Sequence, residues 1–194
     1  MAKLTFTLHQ PTNPHWIETV CNDFDAFLID HAACEKKASA TAMTMIAHYP
    51  DKPKLVKAML SLAIEELNHY KQVVQLIYAR GLRLTADVKD PYIHKLHQLM
   101  DRGKPYYLCD RLLLASIIER RGQERFSSIA KHINDEQLKN FYCAIAASEK
   151  KHYALFIELA CHYYSLQNIE TRLHELLAKE AHILQTLEVR AALH

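Results

Sequence analysis

Two stretches of this chain repeat one arrangement of ionisable residues, and the repeat limits what the chain can fold into. Glu66 is followed three residues later by His69 in "EELNHY", and Glu149 three residues later by His152 in "SEKKHY". A three-residue step places both side chains on nearly the same side of a helix. Bare Glu-x-x-His matches are weak evidence: with 13 histidines and 13 glutamates in 194 residues, chance gives about one, and two occur. The specific part lies upstream. Glu35 stands 31 residues before Glu66, and Glu119 stands 30 residues before Glu149. That interval matches the path along half a long helix, round a turn and back to the same level. Each half of the chain therefore reads as a helix with one glutamate, a turn, and a helix with Glu-x-x-His.

The flanking sequence supports long helices. Asn13-Pro14 is a cap followed by proline at a first helical position. From about Asp23 to His48, Phe24, Phe27, Leu28, Ala32, Met43 and Ile46 recur at helical spacing. "YPDKP" stops this helix, and the next runs from about Pro53 to Arg80 with Gly81 as its C-terminal cap. Asp90-Pro91 opens a short helix that Gly103 closes, and a long one follows from about Pro105 to Lys131. Asn134 or Asp135 caps a helix to about Tyr164, and a last helix runs from about Asn168 to near the end. No stretch alternates with period two, so a sheet is not expected. Short turns inside each pair, and a long link over about 81–104 between pairs, predict an all-α, ferritin-like four-helix bundle with one long crossover and additional flanking helices. Residues 1–194 are expected to form a single domain.

Such bundles take one Glu from each of two helices and Glu-x-x-His from each of the other two to hold a pair of metal ions. The charges explain why. Burying unpaired carboxylates costs several kcal/mol each. Four glutamates balance two divalent ions, and two neutral imidazoles complete the ligands. Oxygen and nitrogen donors without thiolate favour iron or manganese over structural zinc. The predicted ligands are Glu35, Glu66, His69, Glu119, Glu149 and His152. Glu65 competes with Glu66, but only Glu66 stands three residues before its histidine. Glu124 competes with Glu119, but Glu119 follows the apolar run "LLLASII" and keeps the symmetric spacing. His31, one turn before Glu35, reads as a capping or surface histidine ahead of a group supporting a ligand. Tyr70 and Tyr153 read as packing residues.

Other features exclude functions. Three glycines cannot build a phosphate-binding loop, so nucleotide-dependent redox folds are out. The formal charge of +2 does not by itself argue for nucleic acid. No apolar run is long enough for a membrane span. The first residues lack the apolar core of a signal peptide, and the five cysteines are scattered. The expectation is a soluble cytoplasmic protein with reduced thiols.

Three of the predicted ligands precede basic pairs: Lys36-Lys37, Arg120-Arg121 and Lys150-Lys151. Helical rotation turns these toward solvent. Solubility and ion pairing explain them, and phosphate contacts are the functional alternative. Arg80, Arg83, Lys89, Lys95, Arg102, Lys104 and Arg111 extend the basic set through the link. Gly122, mid-helix, costs about 1 kcal/mol relative to Ala. It marks room for oxygen or substrate, close helix packing, or a local bulge.

The segments "LIDHAACEKKASATAMTMI", "EELNHYKQV", "ASIIERRGQERF" and "SEKKHYALFIELA" resemble the tRNA hydroxylase family called MiaE, over roughly residues 14–165. The resemblance implies a non-haem di-iron site (Fe2+/Fe3+) on the same six residues. It implies O2 as co-substrate and hydroxylation of the isopentenyl group of 2-methylthio-N6-isopentenyladenosine, next to the anticodon. It also implies an external electron donor, a reductase or ferredoxin. The partner would be the tRNA anticodon stem-loop, with Lys36, Lys37, Arg120, Arg121 and Gly122 as candidate substrate contacts. A monomer or small oligomer without a membrane fits this picture. A quinone-type hydroxylase and a ferroxidase or iron-storage bundle are the alternatives with the same fold.

Overall fold

The computed structural model describes residues 4–102 and 106–194. Seven helices and no strand occur among the described residues: α1 (His15–Asn22), α2 (Phe24–His48), α3 (Pro53–Ala79), α4 (Pro91–His97), α5 (Tyr107–His132), α6 (Glu136–Tyr163) and α7 (Leu166–Gln185). Gly103, Lys104 and Pro105 lie outside the described residues, so the expected end of the short helix and start of the fifth fall there.

Local chemistry sets most boundaries. The Asn13 Oδ1 accepts from the His15 amide at 3.0 Å. Asp23 caps α2 through the Ala26 amide, Asp90 caps α4 through Tyr92 and Ile93, and Asp135 caps α6 through Gln137 and Leu138. Each carboxylate satisfies amides that have no partner inside the helix. At the end of α3, Gly81 has φ +71° and the Leu82 amide donates back to the Ile77 carbonyl at 3.1 Å. That is the left-handed termination that glycine permits without strain. Two boundaries differ from the sequence reading. The Ser165 hydroxyl accepts from the Asn168 amide, so α7 begins at Leu166 rather than Asn168. α4 ends at His97, where the Gln98 amide closes onto the His94 and Lys95 carbonyls, well before Gly103.

By contacts the chain divides into two compact units. One comprises residues 18–88 with 190–193, and is built on the α2–α3 hairpin. Phe27, Leu28, Met45, Leu55, Met59 and Ile77 are buried in it. The Ser39 hydroxyl donates to the Ala63 carbonyl at 2.8 Å, which fixes how far α2 is slid along α3. The other comprises residues 1–17, 89–189 and 194, with α5 along α6 and with α4 and α7 packed alongside. Ile117, Phe126, Tyr142, Ile145, Phe156 and Leu176 are buried there. In this unit the Ser116 hydroxyl donates to the Tyr153 carbonyl at 2.9 Å and sets the α5–α6 register.

Candidate metal centre

In the α2–α3 unit, Glu35, Glu66 and His69 are all buried. His69 Nδ1 lies 3.1 Å from Glu66 Oε2 and 3.7 Å from Glu35 Oε2. The three-residue step on α3 aims Glu66 and His69 the same way, and the α2–α3 register brings Glu35 to their level. Glu65, one residue away, is only half-buried. His31 is fully buried, with Nε2 at 2.7 Å from Glu35 Oε1. A carboxylate only accepts, so this ring nitrogen carries the hydrogen and holds Glu35 in place. The structure corrects the reading of His31 as a capping or surface residue: one helical turn carries it inward, onto the glutamate.

The α5–α6 unit repeats the arrangement. His152 Nδ1 lies 3.5 Å from Glu149 Oε2 and 3.8 Å from Glu119 Oε2. Glu149 and His152 are buried, and Glu119 is nearly so. Glu124 is occupied elsewhere: it accepts from the Thr12 amide and hydroxyl and pairs with Arg121. Position 115, the counterpart of His31, is alanine, so Glu119 has no equivalent histidine. A Cβ at Gly122 would sit 3.8 Å from Glu149 Cγ and 3.8 Å from Phe126 Cε2, in ordinary van der Waals contact. The glycine therefore lies directly against the side chain of Glu149.

Each unit thus buries two carboxylates and an imidazole whose Nδ1 faces them. The carboxylates demand positive charge. Burial pushes the His69 pKa down, but its hydrogen bonds and charge interactions with Glu35 and Glu66 outweigh that and raise it to about 9. One divalent cation per unit would balance both carboxylates, where the proton on Nδ1 balances one, and would take that proton's place. Three oxygen or nitrogen donors around each such position suit iron or manganese.

The basic residues are placed less uniformly than their spacing suggests. Lys36 is exposed and pairs with Asp87 at 2.7 Å; Lys37 donates to the Val88 carbonyl at 3.1 Å. Both therefore hold the chain's own link segment. Arg120 stands over the Tyr153 ring at 5.6 Å and donates to Gln123. Arg121 is a correction: it is completely buried and unavailable to a phosphate. Its guanidinium donates to Glu180 Oε1 at 2.8 Å and to the Gln10 carbonyl at 2.7 Å, and pairs with Glu124. Arg111 is also buried, beside the Tyr107 ring. Tyr153 packs edge-on to Phe6.

Sequence reasoning missed Ser39 and Ser116, whose hydroxyls set the two helix registers. Nothing in the sequence distinguishes them from surface serines. His31 carried a usable signal, the four-residue step to Glu35.

Comparison with known proteins agrees with this chemistry. The family described as tRNA-(MS[2]IO[6]A)-hydroxylase (MiaE) matches residues 1–194. A tRNA 2-(methylsulfanyl)-N(6)-isopentenyladenosine(37) hydroxylase of Pseudomonas putida is 35% identical over 184 residues, covering 95% of this chain and 89% of the relative. The protein of the same name from Salmonella typhimurium is 25% identical, covering 91% of this chain and 83% of the relative. The solved structure of "Protein 43 with aldehyde deformylating oxygenase activity from Synechococcus" aligns with a TM-score of 0.93 at 35% identity, over 98% of this chain and 96% of that one. The fold is all-α and ferritin-like. On the match to its entire length and the identity to its curated relatives, this chain is a member of the MiaE family of tRNA hydroxylases.

Proposed function

We propose that this protein is an O2-dependent, non-haem di-iron monooxygenase. Its substrate is the isopentenyl group of 2-methylthio-N6-isopentenyladenosine, next to the anticodon of tRNA. The family match over residues 1–194 carries this reading. The donor chemistry supports the metal assignment: Glu35, Glu66 and His69 would supply ligands in one unit, and Glu119, Glu149 and His152 in the other. Iron bound there supplies the activation of O2 that inserts one oxygen atom into a C–H bond. The chain's own residues do the rest. The glutamates neutralise the cations, His31 Nε2 orients Glu35, and Ser39 and Ser116 hold the helix registers. The buried apolar residues around them exclude water.

Insertion of one oxygen atom from O2 into a C–H bond also forms water, and so consumes two electrons and two protons. An external reductase or ferredoxin must supply the electrons. Lys36, Lys37 and Arg120 remain the candidate phosphate contacts, and Gly122 the candidate site of close approach to substrate. Cytoplasmic residence follows from the substrate, and no described helix is long and apolar enough to cross a membrane. A monomer or small oligomer suffices for this chemistry.

The test is to incubate the reduced iron protein with O2 and tRNA lacking the hydroxyl. Nucleoside mass spectrometry should show a gain of one oxygen on the modified adenosine. Binding to the anticodon stem-loop should weaken steeply with salt, because phosphate contacts release counterions. A flat salt response would remove tRNA from the proposal. The aldehyde deformylating activity named for the Synechococcus relative raises a second reading, oxidation of an aldehyde. Loss of aldehyde with no change in the nucleoside would favour it. A large shell by size exclusion would favour iron storage, and flotation with lipid the quinone-type enzyme.

A further inference from the structure

The outward face of α3 is unusually apolar. Ile64 is 62% exposed, Leu67 54% and Leu60 45%. Steps of four and three residues put these three on one stripe. Lys57 precedes Ile64 by seven residues and Lys71 follows it by seven, both exposed and on the same stripe. The two lysines bracket the apolar patch across about 21 Å of helix. The acidic residues of α3, Glu65 and Glu66, are half-buried and buried and turn off this face. Glu66 and His69 project from its opposite side.

We propose that this stripe is the docking surface for the electron donor, a small acidic one-electron carrier protein with an apolar centre to its contact face. The inference rests on the monooxygenase reading, whose balance requires two electrons from outside. Three observations select this occupant. A second copy is disfavoured by charge: a twofold axis through Ile64 would bring Lys57 of one chain against Lys71 of the other. RNA is disfavoured by side-chain type: aliphatic residues give bases no aromatic or guanidinium plane to stack on. An acidic protein surface pairs with both lysines and buries the leucines and isoleucine, the usual apolar centre and charged rim of an interface. The position also suits electron delivery. The patch lies on the back of the helix that carries Glu66 and His69, so one helix diameter, about 10 Å, separates carrier from ligands.

The experiment uses the iron-loaded full chain, an acidic plant-type ferredoxin and a flavodoxin as probes, and the variants Ile64→Glu and Lys57→Glu/Lys71→Glu. Calorimetry should show at least one carrier binding the wild type, with affinity falling at least tenfold in both variants. Carrier-driven hydroxylation should fall in parallel. Turnover driven by dithionite with a small viologen mediator, iron content and tRNA affinity should be unchanged. No binding of either carrier to the wild type overturns the proposal, as does equal binding by wild type and variants. A tRNA affinity that drops in the lysine variant while carrier binding holds assigns the stripe to RNA and overturns it too. So does a wild-type dimer, seen by sedimentation, that Ile64→Glu dissociates. Failure of the hydroxylase reading is separate: dithionite-driven turnover would then give no hydroxylated nucleoside.

Discussion

At the scale of single residues, neighbouring glutamates differ sharply in what surrounds them. Glu66 is buried with His69 while Glu65 is half-buried; Glu119 faces His152 while Glu124 holds Thr12 and Arg121. Glu66→Ala and Glu119→Ala should therefore sharply reduce bound iron from close to two per chain, and Glu65→Ala and Glu124→Ala should not. Iron analysis after gel filtration decides this, and equal losses from Glu65 and Glu66 would refute the assignment on α3. His31 acts through Glu35 rather than on a metal. Removing a partner that orients a ligand typically weakens metal affinity about 10–100-fold. His31→Ala should do so in an iron titration, and Ala115, its positional counterpart, should tolerate Ser without effect. The residue scale is also where sequence reading succeeded and failed most clearly. The three-residue register of Glu and His was legible because helix geometry alone sets it. Arg121 was not. Rotation along α5 puts it beside Arg120 off the ligand face, but Glu180 reaches it from α7, and no local pattern reveals that.

At the scale of elements, caps made the boundaries readable. Aspartate or asparagine before Pro91, before Glu136 and ahead of α1 marked starts, and Gly81 marked a stop. The start of α7 was less legible because Ser165 is a weak signal amid a polar stretch. Asp90 shows how a cap links to pH. Burial raises its pKa, but His194 and the Tyr92 and Ile93 amides more than offset this and lower it to about 2. A pKa depressed in the folded state stabilises the fold above the unfolded value, about 3.9, and that contribution fades as pH falls toward 2. Asp90→Asn should thus be destabilising by roughly 2 kcal/mol at pH 6. The gap should close between pH 4 and pH 2. Urea unfolding of both proteins across that range checks the sign.

At the scale of the whole molecule, the duplicated pattern was the most informative line of sequence, because it specified helices, their pairing and a common chemistry together. The separation of the two helix pairs followed from the long link between them, but the return of residues 190–193 to the α2–α3 unit was not legible, because that tail carries no motif. The clustered carboxylates link folding to metal. An ion present at about 100 times its dissociation constant stabilises by about 2.7 kcal/mol when only the native state binds it. For a chain of this size that is a melting shift of several degrees, roughly 2–4 °C per kcal/mol. Calorimetric scans of metal-free and iron-loaded protein should show it, and coincident melting would count against buried ligands.

The Arg121–Glu180 pair has a consequence for how this sequence can drift over generations. Both side chains are fully buried, and Tyr92 also donates to Glu180. Losing Arg121 leaves the buried Glu180 carboxylate with the Tyr92 hydroxyl and no paired guanidinium, and losing Glu180 leaves the buried guanidinium with Glu124 as its charge partner; breaking a buried pair costs about 3–5 kcal/mol. Against a total stability of about 5–15 kcal/mol, few single steps of that size survive. Replacing both by apolar residues of similar volume is close to neutral. Arg121→Met and Glu180→Leu should each destabilise in urea, and the double variant should recover part of the loss, the remainder reflecting the partners that Tyr92 and Glu124 give up. The lineage of this chain is therefore expected to have kept the two residues together or surrendered them together, a correlated inheritance between α5 and α7 that has nothing to do with iron.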